Sequence, residues 1–165
     1  MLDELSEKAR QKLIAQLWQL TEGMLVIVEP GTPSGWQRIL DVRAQLQGLG
    51  AHIVAPCTHE HVCAVNAPDW CHFSRRVARS KIHRLTKEAD VPWEDEKFSY
   101  IAVSRQPVAL SGQRVLMQPK IGGGKVNIKL CRGDGSVADT LITKRDKDLF
   151  SQARRADWGD LIGAE

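Results

Sequence analysis

The sequence predicts an α/β protein in which a parallel sheet is followed by an antiparallel, β-rich extension and a closing helix. Two patterns support this fold class. A strand, a helix and a second strand follow one another between residues 24 and 56, which is the order of a βαβ unit with parallel strands. From Arg114 onward the chain instead contains short strand-like segments separated by turn signals, as antiparallel sheets do.

The composition is that of a globular protein. The chain has 165 residues, of which 42% are hydrophobic and 26% charged, and its formal net charge is +3. No apolar run approaches the ~20 residues that cross a bilayer, so no membrane partner is expected. The N-terminal segment mixes acids with bases, unlike a secretory signal or a transit peptide, and a cytoplasmic location is therefore expected.

The first half of the chain predicts two helices and two buried strands. The apolar runs 24–28 and 51–56 have no polar interruption, as in strands covered on both faces. Ser34 is the predicted N-cap of the helix between them, which ends near Gly48. The N-terminal helix has its apolar residues at spacings of three and four: Leu2, Leu5, Ala9, Leu13, Leu17 and Leu20.

The second half predicts a further helix, a strand and the β-rich extension. Residues 72–89 have the spacing of an amphipathic helix, and residues 97–105 that of a strand. The stretch "RGDG" (132–135) predicts a turn between the last two strands, and "GGG" (122–124) predicts a loop. The strands and the closing helix of the extension are predicted at 114–119, 125–131, 137–144 and within 146–162.

Three of the four cysteines lie in one stretch, "PCTHEHVCAVNAPDWCHF" (56–73). Four thiolates suit either zinc or an iron–sulfur cluster. The wide spacing favours the cluster, because structural zinc is typically held by tighter cysteine pairs; a Cys3His zinc site and unligated thiols remain alternatives. The candidate ligands are Cys57, Cys63, Cys71 and Cys131, with His59, His61 and His72 as possible replacements for one thiolate.

The predicted helix 72–89 has a basic side that contains no acid. Such a face is often only solvated, but its position beside the candidate metal site favours contact with a phosphate backbone. The acids at 94–96 could pair with it. The predicted RNA-contacting residues are Arg75, Arg76, Arg79, His83 and Lys87.

The parallel portion has no glycine-rich first turn of the kind that binds a phosphate or cofactor in doubly wound folds. Either this fold never bound such a ligand, or the chain begins in the middle of the fold. The stretch "EPGTPSG" (29–35) follows a predicted strand and permits two interpretations, a substrate-facing loop or an ordinary turn.

Five stretches, in this order, closely resemble the small-ribosomal-subunit methyltransferase-like family, known from mitochondrial ribosome assembly and with bacterial relatives. They are "LVIVEPGTPSGW", "AHIVAPC", "DWCHFSRR", "EDEKFSYIAVSR" and "KRDKDLFSQARRADWGD". The resemblance implies a class I methyltransferase (Rossmann-like) fold, S-adenosylmethionine as the nominal cofactor and small-subunit ribosomal RNA as the partner. It also implies a [4Fe–4S] cluster on Cys57, Cys63, Cys71 and Cys131.

The resemblance further implies that this chain is the C-terminal half of the family's sheet, as a fragment or a split gene product. Residues 1–106 would form the partial methyltransferase-like domain with the cysteine-rich loop, and residues 107–165 the β-rich extension. The expected function is ribosome assembly through RNA binding, in the mitochondrial matrix if the source is eukaryotic. Two alternatives remain, an active RNA methyltransferase when joined to the missing N-terminal half and a zinc-stabilised RNA-binding module.

Overall fold

The computed structural model describes residues 2–80, 82, 86 and 91–163. Helix α1 (Glu7–Leu20) begins at Ser6, whose side-chain oxygen accepts a hydrogen bond from the backbone N–H of Ala9 at 3.4 Å. The helix buries Ile14 and Trp18, whereas Leu20 is exposed. The predicted N-terminal helix is therefore confirmed, but its buried face is rotated from the predicted leucine face.

The next three elements are strand β1 (Met24–Pro30), helix α2 (Pro33–Gly48) and strand β2 (His52–Ala55). All three were predicted in this order. The N-cap of α2 is Thr32 rather than the predicted Ser34, and its hydroxyl accepts from the Gly35 N–H at 3.1 Å. Pro33 explains the difference, because its fixed φ and missing N–H suit the first position of a helix.

The first sheet has the strand order β1-β4-β2, where β4 is Trp93–Ser104, and strand β3 (Phe73–Ala78) also pairs with β4. Every pairing is antiparallel to β4. The prediction of a parallel βαβ pair is therefore wrong: β1 and β2 run in the same direction but are separated by β4. Local sequence patterns could not reveal that a strand from far along the chain inserts between them.

Strand β3 corrects the first part of the predicted helix 72–89, whereas Ile82 and Thr86 are helical and residues 81, 83–85 and 87–89 lie outside the described residues. Phe73–Ala78 forms an antiparallel ladder with Trp93–Phe98, with Arg75 opposite Glu96 and Arg76 opposite Asp95. Of the predicted RNA-contacting residues, His83 and Lys87 lie outside the described residues. Strand β4 starts four residues before its predicted start at 97, because the acidic segment pairs with β3.

The second sheet confirms the predicted antiparallel extension. Its order is β6-β7-β5-β9, and β8 pairs with the other side of β7. Gly123 and Gly124 form the turn between β6 and β7, and Arg132–Gly135 the turn between β7 and β8, with the Gly135 N–H donating to the Arg132 carbonyl at 2.9 Å. The strands are β5 (Gln113–Val115), β6 (Lys120–Gly122), β7 (Lys125–Cys131), β8 (Val137–Thr143) and β9 (Leu161–Ile162).

The closing helix α3 (Lys147–Ala153) is shorter than predicted, because the chain after it returns to the sheet as β9. Two hydrophobic cores result. The first packs α1 and α2 against β1, β2 and β4, and the second packs α3 against the second sheet. The domain boundary predicted near residue 106 stays a prediction. No described helix is both long and apolar enough to cross a membrane.

Candidate metal centre

The loop between β2 and β3 lies between the two sheets and carries three of the cysteines. Thr58 donates a hydrogen bond from its hydroxyl to the carbonyl oxygen of Cys131 at 3.2 Å, which joins this loop to the end of β7. Arg114 of β5 donates to the carbonyls of Pro56 and Gly159, both at 2.8 Å. These contacts hold Cys131 beside the loop, as expected if an antiparallel strand of the β-rich extension runs back toward it.

The four cysteines interact with one another electrostatically. Burial raises the pKa of the Cys71 thiol well above its ordinary value, and the other three cysteines add to the increase. Burial also raises the pKa of Cys131 to about 11, with further contributions from Cys57 and Cys63. All four are free thiols. A metal cation between the thiols would instead favour the thiolate form, because thiols that coordinate a metal lose their protons.

A small cavity adjoins three of these thiols. It has a volume of about 30 Å³, and Cys57, Cys63 and Cys71 line it together with apolar side chains that include Phe73 and Ile101. Such a volume exceeds the ~10–15 Å³ that one water needs. Within the described ranges, however, no three histidine, cysteine or acidic side chains are already arranged to hold a metal ion.

The chemistry of this donor set fits the cluster that the resemblance implies, even though the side chains are not arranged for coordination. Four thiols from two segments of the chain converge, and thiolates are the common ligands of iron–sulfur clusters. The largest cause of each resolved thiol pKa increase is burial. A bound metal would remove this obstacle to thiolate formation by supplying positive charge.

Arg43 on helix α2 is a buried cation beside these thiols. It is only 6% exposed and lines the cavity. One terminal nitrogen donates to the carbonyl of His61 at 2.6 Å, and the other donates to the side chain of Gln47 at 2.8 Å. The charge of Arg43 lowers the pKa of Cys57, although burial, which raises this pKa, is the larger effect. Arg43 therefore shapes the loop by binding its backbone, and its charge favours the thiolate form of Cys57.

Sequence reasoning missed Arg43. The sequence did contain a signal for this residue, because Arg43 is a cation on the apolar face of α2 that also buries Ile39, Val42 and Leu46. A charged residue at a buried position is rare unless it is paired. Its partners, however, are backbone carbonyls of the loop, which no sequence pattern identifies.

The histidines make other contacts. His59 is buried and stacks on His61, with 5.8 Å between the ring centroids. His72 stacks on Trp70 at 4.8 Å and meets the edge of Trp158. Burial, the largest cause in each case, lowers the pKa of His59 and of His72. Whether a histidine replaces one thiolate stays a prediction.

The predicted RNA-contacting arginines lie close to acids of the adjacent strand. Arg76 makes two hydrogen bonds to the carboxylate of Asp95, at 2.8 and 2.9 Å. Arg79 makes two to Glu94, at 3.1 and 3.0 Å. The suggested pairing with the acidic segment is thus confirmed for these two, with Arg76 on strand β3 and Arg79 directly after it. Whether they contact RNA stays a prediction.

The "EPGTPSG" stretch forms the tight turn from β1 into α2. Glu29 is buried and its carboxylate accepts from the Arg38 guanidinium at 2.6 Å. A Cβ atom at Gly31 would lie 2.6 Å from the backbone nitrogen of Phe98, so only glycine fits. The Gly31 carbonyl also accepts from the indole N–H of Trp70 at 2.9 Å, which ties this turn to the cysteine-bearing loop. These contacts favour the structural interpretation of the stretch.

These features define a protein of mixed helices and two antiparallel sheets, in which a cysteine-bearing loop of the first sheet is hydrogen-bonded to the second. The chain belongs to the Rsm22 family, described as mitochondrial small ribosomal subunit Rsm22, because the family's sequence model matches residues 1–163. The family resemblance seen in the motifs is thereby confirmed.

Two kinds of relative illustrate the family. The human ribosome assembly protein METTL17, mitochondrial, is 30% identical over 175 residues, which cover 98% of this chain and 37% of the human protein. The mitochondrial Rsm22-cox11 tandem proteins 1 and 2 of Schizosaccharomyces pombe are each 24% identical, over 100% of this chain and 28% of their own length. The chain thus spans about a third of these relatives. Their mitochondrial names agree with the mitochondrial alternative and give no support to the cytoplasmic expectation.

Proposed function

We propose that this chain is a ribosome-assembly module in which Cys57, Cys63, Cys71 and Cys131 hold a [4Fe–4S] cluster. The observation that carries the proposal is the meeting of these thiols: Cys57, Cys63 and Cys71 line one cavity, and the hydrogen bond from Thr58 holds Cys131 beside the same loop. They are all the cysteines of the chain. The relatives support the assembly role, because METTL17 is a ribosome assembly protein by name.

The cluster would act as a structural link. When bound, it would supply positive charge that keeps the thiols deprotonated and would tie the loop to β7. The protein's own residues complete the link: Thr58 and Arg114 hold the two sheets together, while Arg43 fixes the carbonyls of the loop. Together they would present one rigid surface to small-subunit ribosomal RNA, the proposed partner.

Anaerobic purification followed by iron, sulfide and zinc analysis, with a visible spectrum, tests the metal. We expect about four irons and four sulfides for each chain and a brown protein, as for a cubane cluster. A colourless protein with one zinc and no iron would support the zinc-stabilised alternative and exclude the cluster.

Binding to a transcript of small-subunit ribosomal RNA tests the partner. We expect binding that weakens steeply as salt is added, because phosphate contacts release counterions. If an unrelated protein of the same net charge binds this transcript with equal affinity, RNA binding is contradicted as a function of this chain.

Methyl transfer is a second candidate, for a longer polypeptide only. The chain covers 37% of METTL17, which leaves room for an S-adenosylmethionine-binding half elsewhere. Joining this chain to an upstream half and measuring transfer of labelled methyl groups to small-subunit RNA tests the idea. No incorporation by the joined, cluster-loaded protein would count against it.

A further inference from the structure

The hairpin between β6 and β7 brings three cations to one end of the second sheet. Its turn consists of Gly123 and Gly124, both with positive φ (+55° and +72°), a conformation that glycine adopts without strain. Lys125 follows the turn and lies opposite Thr143 of β8. Lys144 and Arg145 follow Thr143 in the chain. All three cations therefore line one open cleft of about 400 Å³. We call Gly123–Lys125 with Thr143–Arg145 the hairpin tip.

The side chain of Lys144 lies across this turn. A Cβ atom at Gly124 would be 3.1 Å from the Lys144 Cε and 3.7 Å from its Nζ. The absence of a side chain at Gly124 thus makes room for the lysine stem. The ammonium group is held over the hairpin tip, where a ligand in the cleft can reach it.

The cations of the hairpin tip are exposed and have no carboxylate partner. Lys125, Lys144 and Arg145 form no ion pair with any other residue in the part of the chain that the structure describes. The nearest acid in sequence, Asp146, accepts hydrogen bonds from the N–H and hydroxyl of Thr143, at 2.8 and 3.0 Å. Its carboxylate caps a helical turn and reduces the local positive charge without contacting the three cations.

Strand β3 provides the contrast. Arg76 of β3 and Arg79, the residue after this strand, each make two hydrogen bonds to a carboxylate, so their charges are already neutralised, while the exposed Arg75 lies opposite Glu96. A phosphate would have to displace those acids from the arginines. At the hairpin tip it would meet three cations without displacing a carboxylate of the described residues.

We propose that the hairpin tip, and not the arginines of β3, is the main phosphate-backbone contact of this chain with RNA. The proposal rests on the proposed RNA-binding function and identifies its surface. Glycines, a threonine and cations line the cleft, without an aromatic ring on which a base would stack. This composition suits contacts to phosphates that position the RNA, rather than contacts that read its sequence.

Two triple variants of equal charge test the surface. In one, Lys125, Lys144 and Arg145 are changed to Gln; in the other, Arg75, Arg76 and Arg79 are. Each lowers the net charge by three, so a nonspecific charge effect changes both equally. The probe is a transcript of small-subunit ribosomal RNA, titrated against the full chain at several salt concentrations.

We expect the hairpin-tip variant to bind about tenfold more weakly at low salt and to lose about two units of salt slope, as three lost phosphate contacts predict. The β3 variant should lose less than half as much. Lys125→Arg with Lys144→Arg should keep the wild-type affinity, which separates lost charge from lost fold. Thermal unfolding of every variant checks the fold.

Three results would overturn the inference. An unchanged affinity of the hairpin-tip variant would place the RNA contact elsewhere. Equal losses of RNA affinity in the two triple variants would mean that both losses come from the lower net charge and not from a particular surface. If the wild-type chain itself binds no RNA, the proposed RNA-binding function fails and this surface fails with it, whereas the first two results leave that function intact.

Discussion

Thr58 and Cys131 are 73 positions apart in the chain, yet the hydroxyl of one donates to the carbonyl of the other at 3.2 Å in a buried environment. This bond joins the cysteine-bearing loop of the first half to the last residue of β7. Because Cys57 precedes Thr58, the bond also helps to bring the first and last thiols of the candidate metal centre together.

Replacing Thr58 with Val removes this bond while keeping the side-chain shape. We expect the free energy of unfolding to fall by about 1–2 kcal/mol, because a buried carbonyl loses its donor. Urea unfolding measures the change. Thr58→Ser keeps the hydroxyl and should recover most of the loss; equal effects of Val and Ser would indicate packing instead of the hydrogen bond.

Replacing the cysteines one at a time with Ser should lower bound iron and sulfide in every case. The expected loss is more than half of the metal, because a cubane cluster needs a ligand at each iron. His61→Gln is the matched control, since His61 is exposed and stacks only on His59. Loss of metal in the histidine variant, with one cysteine variant unaffected, would favour a Cys3His site.

Arg43→Met should destabilise the protein by about 2–4 kcal/mol, because buried carbonyls and a glutamine lose a charged donor. The guanidinium bonds to His61 and Gln47 disappear, while the stem volume is nearly kept. Urea unfolding again gives the value. Arg155→Met, at an exposed position with only local bonds to Ser151, should change stability by less than about 0.5 kcal/mol.

Gly31→Ala and Gly48→Ala form a matched pair with opposite expected signs. The new methyl at Gly31 would meet the Phe98 backbone, at a cost of about 2–3 kcal/mol. At Gly48, the last residue of α2, a Cβ atom meets nothing within 4 Å, so alanine should stabilise by up to about 1 kcal/mol. Thermal unfolding of the two variants checks both signs. A neutral Gly31→Ala would mean that the turn relaxes around the methyl.

Asp95 should show a depressed pKa that depends on Arg76. Hydrogen bonding to Arg76 lowers the pKa of this carboxyl below its ordinary value of 3.8. The stability from the pair is therefore present above pH 3.8 and is lost as the pH falls through the folded-state pKa. Carboxyl titration by NMR should find the pKa raised toward 3.8 in Arg76→Gln but unchanged in Arg75→Gln.

The elements that could be predicted from sequence are those with a local cause. Strand β1, helix α2 and the turns at Gly123–Gly124 and Arg132–Gly135 follow from apolar runs and glycine positions. The segment 73–78 could not be assigned by periodicity. Phe73 is buried at a position that fits either a helix or a strand, and the acidic strand opposite decided the outcome.

The approach of Cys131 to the cysteine-bearing loop was predictable, but the surroundings of the thiols were not. Cysteine is rare enough that the four thiols stood out, and the antiparallel tail predicted the approach of Cys131. Arg43 and Thr58 could not be found in this way, because they act through backbone carbonyls whose positions depend on the folded loop. The pairing of Arg76 and Arg79 with the acidic segment 94–96, by contrast, was suggested by the sequence.

The two edges of the first sheet have opposite character. On the side of β4 away from β1 lie β2 and β3, and the exposed Arg75 and Arg76 of β3 deter the addition of another strand there. On the other side lies β1, where Met24, Val26 and Val28 are each more than half exposed and none is charged. In the described part of the chain β1 pairs with β4 alone, so its outer edge is open to a further strand.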